Sequence, residues 1–272
     1  MRTDHTTNAD TTKGRKSIMM QTTPRRAAII AGIGYVALFV LAIFANFFVR
    51  EGLVVADDAV ATFENIAESE LLFRAGIAAF LLIFLLDVVV AWALHIVFRT
   101  VDRMASLLAA WFRIVYTVFL GIASVFLFGA VQLVGDASVV DGLGAQQLAT
   151  PVALLMDAFN YTWLIGLAAF GIHLIILGAM VVRSRIASRI LGFALIIAGS
   201  AYMVDTFAHA LLSNYADYAD AFLAMVAIPA IIAELAFTAW LLLRAGKVGS
   251  MGAPSADSAD TDGAIDRKDV LV

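Results

Sequence analysis

Six long runs of apolar residues alternate with short polar joints along this chain. The runs cover about Ala27–Val49, Leu71–Phe98, Leu107–Val134, Ala153–Val182, Ile190–Leu212 and Ala221–Leu243. Each is long enough to cross roughly 30 Å of hydrocarbon as a helix, which takes about 20 residues. A helix satisfies its backbone polar groups internally, as a lipid core demands. The pattern predicts an all-α protein, a polytopic transmembrane helical bundle of six spans. The run after Arg25 and Arg26 is too long for a cleaved leader and has no small-residue cleavage site.

The joints set an orientation. Arg25 and Arg26 precede the first span, Arg99 and Arg103 separate the second from the third, Arg183, Arg185 and Arg189 separate the fourth from the fifth, and Arg244 and Lys247 follow the sixth. The remaining joints are acidic, with Asp57, Asp58, Glu64, Glu68 and Glu70, then Asp136 and Asp141, then Asp217 and Asp220. Excess Lys and Arg marks cytoplasmic joints, so both termini are expected in the cytoplasm. Residues 1–24 and 248–272 are polar and lack an apolar period, and are expected to be disordered tails around a domain over 25–247. The longest outside joint, Arg50–Glu70, has room for a short surface helix.

Composition narrows the chemistry. Of the 272 residues, 62% are hydrophobic and 15% charged, against about 25% charged in soluble domains. The absence of cysteine removes disulfides and thiolate metal sites. A net charge of −4 argues against nucleic acid as a partner. No phosphate-cradling loop or Gly-x-Ser-x-Gly turn occurs, which argues against an ATP-driven pump on this chain alone.

The informative residues are the polar ones inside the spans. A lone charge at membrane depth costs about 2.5–3.5 kcal/mol on insertion scales. Asp87 and Arg113 have opposite sign on neighbouring spans, about one turn apart in depth, and are expected to meet. Counting from the cytoplasmic ends at 1.5 Å per residue places Arg113 roughly 9 Å deep, His173 and Glu234 roughly 14 Å, and Asp87 roughly 16 Å. These four form one expected buried charge cluster, in which Glu234 is expected to pair with Arg113. Pro229 in the same span frees a backbone carbonyl and is expected to bend the helix.

A second polar layer is expected nearer the outside: Arg74, Asp157, Asn160, Tyr202, Asp205 and His209. Tyr202, Asp205 and His209 share one helix face. Asp205 and His209, four apart, offer two zinc ligands side by side, with Asp157 or His173 as a candidate third. The competing reading is that the two hydrogen-bond each other or outside water. His95, His173 and His209 lie at unmatched depths, which disfavours haem, and no cofactor is expected. Trp92, Trp111, Trp163 and Trp240 read as packing or interface residues. Ala28 with Gly32, and Ala194 with Ala198, have the spacing that lets helices approach closely. Asp87 and Asp205 each fall about 16 residues into the second span of a triplet, as an inverted repeat of the kind found in transporters would place them.

The stretches RAGIAAFLLIFLLDVVVAWALHIVFRTVDRMASLLAAWFRIVY, FNYTWLIGLAAFGIHLIILGAMVVRS and SRILGFALIIAGSAYMVD resemble the multi-pass family known as domain-of-unknown-function family 4386. The resemblance runs over about Thr23–Lys247. It carries Arg74, Asp87, Arg113, His173, Gly178, Gly192, Tyr202, Asp205 and Glu234 onto the family pattern, with Ser188-Arg189 where Pro-Arg is usual. It implies a bacterial or archaeal membrane setting, here the plasma membrane, and no named activity.

Two functions fit the pattern. The first is a non-enzymatic membrane protein, a small transporter or a partner subunit, built around the buried charges. Its partners would be the bilayer and another membrane protein or a second copy. The alternative is an intramembrane, zinc-dependent hydrolase acting on a lipid through Asp205 and His209.

Overall fold

The computed structural model describes residues 23–244. Among these residues the chain is helical, with no strand. Six helices are long and apolar enough to cross a membrane: α1 (Pro24–Leu53), α3 (Glu70–Phe98), α4 (Arg103–Gly135), α6 (Ala145–Ser184), α7 (Arg189–Leu211) and α8 (Tyr215–Leu243). Two short helices, α2 (Ala59–Glu68) and α5 (Ala137–Leu143), occupy joints between the long ones. The tails expected over 1–24 and 248–272 lie outside the described residues, except Thr23 and Pro24, and so does Lys247.

The helix starts follow local chemistry. Thr23 caps α1, accepting from the Arg26 amide, and Pro24 fills the first turn, where no N–H is needed. Asp102 accepts from the Ala105 amide at 2.9 Å and starts α4. Ser188 accepts from the Ile190 amide at 3.2 Å and starts α7. Arg185 closes α6 in the left-handed conformation, at φ 56°. Glycine usually holds that position.

Several helices outrun their apolar stretches. The first span continues past Val49 through a π-helical segment, Phe44–Arg50, into Glu51–Leu53. Arg50 therefore belongs to a helix, where a loop residue was expected. α6 begins at Ala145 and takes Pro151 within its first two turns. At 40 residues it is roughly 60 Å long, about twice the hydrocarbon thickness, so it projects beyond the core. α2 fills the expected surface-helix position. It packs on α6 and α4, burying Phe63 and Ile66.

The six long helices form a closed ring in chain order. α1 packs on α3, α3 on α4, α4 on α6, α6 on α7 and α7 on α8, and α8 returns to α1. One end of the ring carries Arg25, Arg26, Arg99, Arg103, Arg183, Arg185, Arg189 and Arg244. The opposite end carries Asp57, Asp58, Asp136, Asp141, Asp217 and Asp220. Outward-facing Ile33, Val40, Leu85, Val125, Ile197 and Ile232 are half or more exposed, as a lipid-facing surface requires.

The seam between α6 and α7 is made of backbone. A Cβ added at Gly178 would lie 2.5 Å from the Gly192 carbonyl oxygen, and one at Gly171 would lie 2.6 Å from that of Gly199. The relation is reciprocal, since Gly192 and Gly199 face the Gly178 and Gly171 carbonyls in return. Two glycines on each helix, at matched spacing, thus let antiparallel backbones touch. Ala198 is buried on the same helix while Ala194 is only half-buried, so the glycines make the closer contact. At α1, Ala28 and Gly32 are both buried, and Leu242 of α8 fills the space beside Gly32.

Candidate functional site

At the middle of the ring, every spanning helix contributes a polar side chain. They are Tyr35 from α1, Asp87 from α3, Arg113 and Tyr116 from α4, His173 from α6, Tyr202 from α7 and Glu234 from α8. Counted from the basic end, they lie roughly 14–20 Å deep, near the midplane of a 30 Å core. Arg113 is deeper than its apolar run implied, because α4 starts at Arg103 and not at Leu107.

Arg113 is the hub. Its Nε donates to Asp87 Oδ1 at 2.9 Å, and its Nη2 donates to the same oxygen. Its Nη1 donates to the Tyr35 hydroxyl at 2.7 Å and lies 3.4 Å from His173 Nε2. The guanidinium carbon sits 4.8 Å from the Tyr35 ring centre and 5.3 Å from that of Phe170. Arg113, Asp87 and Tyr35 are each at most 2% exposed, and His173 is fully buried. A buried ion of this kind is tolerable only when paired and hydrogen-bonded, as this one is.

His173 has an assigned tautomer. Its Nδ1 is 2.8 Å from the Ala109 carbonyl oxygen, which can only accept, so Nδ1 carries the proton. Nε2 is then a free lone pair aimed at an Arg113 donor. Neutral His173 fits both contacts. Phe170 stacks on this ring at 5.7 Å and also touches Tyr116 and Tyr202, at 5.0 and 5.5 Å. Trp163 Nε1 donates to the Tyr116 hydroxyl at 3.4 Å.

Glu234 stands apart from the ion pair. It is half-buried on α8, facing Tyr202 and lying in the field of Arg113 and Asp87. The expected Glu234–Arg113 pair does not form among the described residues, where the membrane-depth ion pair is Arg113 with Asp87. The reason is angular: the guanidinium is turned to Asp87, Tyr35 and His173, while Glu234 on α8 faces Tyr202.

The expected outer layer separates into independent groups. Arg74 pairs with Glu70 one turn back, at 2.6 Å. Asp157 is exposed. Asn160 accepts from Arg50 Nη1 at 2.8 Å, and Arg50 Nε donates to Asn46 Oδ1 at 3.3 Å. Tyr202 belongs to the midplane group. Asp205 accepts from the Tyr215 hydroxyl at 2.7 Å, and the His209 ring lies against that of Tyr215, tilted by 34° with centres 3.5 Å apart. His209 Nδ1 is buried without a hydrogen-bond partner.

A metal does not fit these residues. Among the described residues, no three His, Asp or Glu side chains converge on one point, and an open zinc site needs three. Asp205 is turned to Tyr215, Asp157 faces out, and His173 is committed to Ala109 and Arg113. The histidines also fail to face each other as haem ligands would: His95 contacts Ser106 Oγ at 3.0 Å, a third location.

Tyr35 and Arg50 join the polar contacts of the bundle at positions that residue counting missed. A single tyrosine in an apolar run looks like packing. The available signal was depth, since Tyr35 lies as far from the start of its helix as Asp87 lies from the end of its own.

Comparison with known proteins gives a family. A family described as "Domain of unknown function (DUF4386)" matches residues 30–245. An uncharacterised protein of Archaeoglobus fulgidus is 31% identical over 130 residues, covering 48% of this chain and 64% of that protein, just under two thirds of its length. No solved structure matches. The chain is an all-helical integral membrane protein and belongs to the DUF4386 family.

Proposed function

We propose that this protein is a small secondary transporter in which Glu234 gains and loses a proton beside the fixed Asp87–Arg113 pair. The observation that carries this reading is the charge count at the midplane. Two carboxylates, Asp87 and Glu234, share the ring interior with one guanidinium, Arg113. Asp87 takes the guanidinium, and His173 is neutral in its assigned tautomer. The group is therefore neutral only with a proton on Glu234 and carries one excess negative charge without it. Membrane-depth acids of this kind belong to ion and proton pathways. Pro229, one turn before Glu234, weakens α8 at that point.

A hydrophobic carbodiimide, which reacts with protonated carboxyls inside membranes, tests this without knowledge of the cargo. Mass spectrometry is expected to find the adduct on Glu234, fading as pH rises, and none on Asp87. Glu234→Gln is expected to remove the adduct while leaving stability within about 1 kcal/mol of wild type. Equal labelling of Asp87, or no labelling of Glu234 at any pH, would sink the reading.

The membrane is taken to be the plasma membrane of a prokaryote, with the basic end of the ring in the cytoplasm, as the arginine distribution favours. The natural lack of cysteine makes this easy to check. Ser188→Cys is expected to resist impermeant maleimides in intact cells, and Ser138→Cys to react with them. The reverse pattern would invert the topology.

A further inference from the structure

We propose that the basic end of the ring holds a binding site for one anionic phospholipid, between the α3–α4 turn and the α6–α7 turn. A recess there is lined on its polar side by Arg183, Arg185, Ser184 and Thr100. Its other wall is apolar, formed by Val101, Ala105, Ile176 and Ala179. A basic mouth continuous with an apolar wall at a membrane boundary matches a lipid, with phosphate at the guanidinium groups and acyl chain along the wall.

Three further observations favour an anionic occupant. The three ion pairs among the described residues all lie elsewhere, so neither Arg183 nor Arg185 is paired with a carboxylate there. The acid in the lining, Asp102, is committed to the α4 amino end, where it accepts from the Ala105 amide at 2.9 Å. Arg185 occupies a left-handed position that suits glycine better, so a charged side chain is held there against local backbone preference. The commoner residue would fold at least as well and would lack the charge.

That last point supplies a variant that should fold. Arg183→Gln with Arg185→Gly removes both charges and relieves the backbone. The purified protein is heated in mild detergent with added phosphatidylglycerol, phosphatidylcholine or inorganic phosphate. Phosphatidylglycerol is expected to raise the unfolding midpoint of wild type by about 5 °C, the size expected of a ligand near saturation. Native mass spectrometry is expected to show one such lipid retained. Both effects should vanish in the double variant and persist in Arg189→Gln, which lies outside the recess. An equal effect of phosphatidylcholine would overturn the headgroup assignment. An equal effect of inorganic phosphate would make it a soluble-anion site. A phosphatidylglycerol effect that survives in the double variant would place the lipid elsewhere.

Discussion

Arg113→Ala is expected to destabilise the folded protein by about 3–5 kcal/mol, read as a large fall of its unfolding midpoint in detergent. The cost comes from what is left behind. Asp87, 1% exposed in the folded protein, would lose both of its guanidinium hydrogen bonds and be left as an uncompensated buried charge. Tyr35 and His173 would lose their shared donor at the same time. Asp87→Leu should cost a similar amount, because it strands the guanidinium instead. The double variant Asp87→Leu/Arg113→Met should recover most of the loss, since a buried pair often does no better than apolar residues of similar volume. Unfolding midpoints of wild type, Asp87→Leu, Arg113→Met and the double variant close this cycle, and additivity of the two single losses would show that the pair is not one unit. Under the transport reading, the double variant folds and does not transport.

Gly178→Leu is the second large effect, at about 1–3 kcal/mol and toward the upper end of that overpacking range. The first added carbon would meet a carbonyl oxygen at 2.5 Å and Ile196 Cγ1 at 2.7 Å. The side chain can turn aside, but the backbone can yield only if α6 and α7 part. Gly199→Leu should behave alike, because its partner is the Gly171 carbonyl. Gly142→Ala is the matched control. Nothing lies within 4 Å of its added carbon, and the loss of chain entropy should leave stability unchanged or slightly raised. Thermal unfolding of the three variants side by side separates a packing effect from a general intolerance of glycine replacement.

Much of this architecture can be read without coordinates, for a reason that also sets the boundary of such reading. Hydrocarbon imposes a length on every apolar run, so span number follows from hydropathy. Depth follows from counting, and opposite charges at equal depth on adjacent spans, such as Asp87 and Arg113, have few other partners. Azimuth does not follow. Asn160 on α6 and Asp205 with His209 on α7 share a layer by depth, yet Asn160 meets Arg50 while the α7 pair meets Tyr215, because each helix has its own rotation about its axis. Glu234 shows the same gap, having the depth to meet Arg113 and the wrong angle. Arg50 was missed for a different reason. Hydropathy ends at Val49 while hydrogen bonding continues, because Asn46 and Asn160 receive the guanidinium. Spacing of small residues in the fifth span pointed to Ala194 and Ala198, whereas the seam is made by Gly192 and Gly199, because which face meets α6 depends on how two antiparallel helices are aligned.

That alignment restricts how the protein can move. The contact points on α6 and α7 are seven residues apart, and branched or long side chains flank them: Ile175 beside Gly199, Ile196 beside Gly178, and Val182 beside Gly192. A lengthwise shift of α7 by a single turn would drive one of these side chains into the facing backbone. The seam therefore behaves as a detent, open to pivoting and closed to travel. Tyr202 rides on α7 and so keeps its register against α6. Under the transport reading, α6 and α7 move as one body or pivot about this seam, and the repositioning of Glu234 falls to α8.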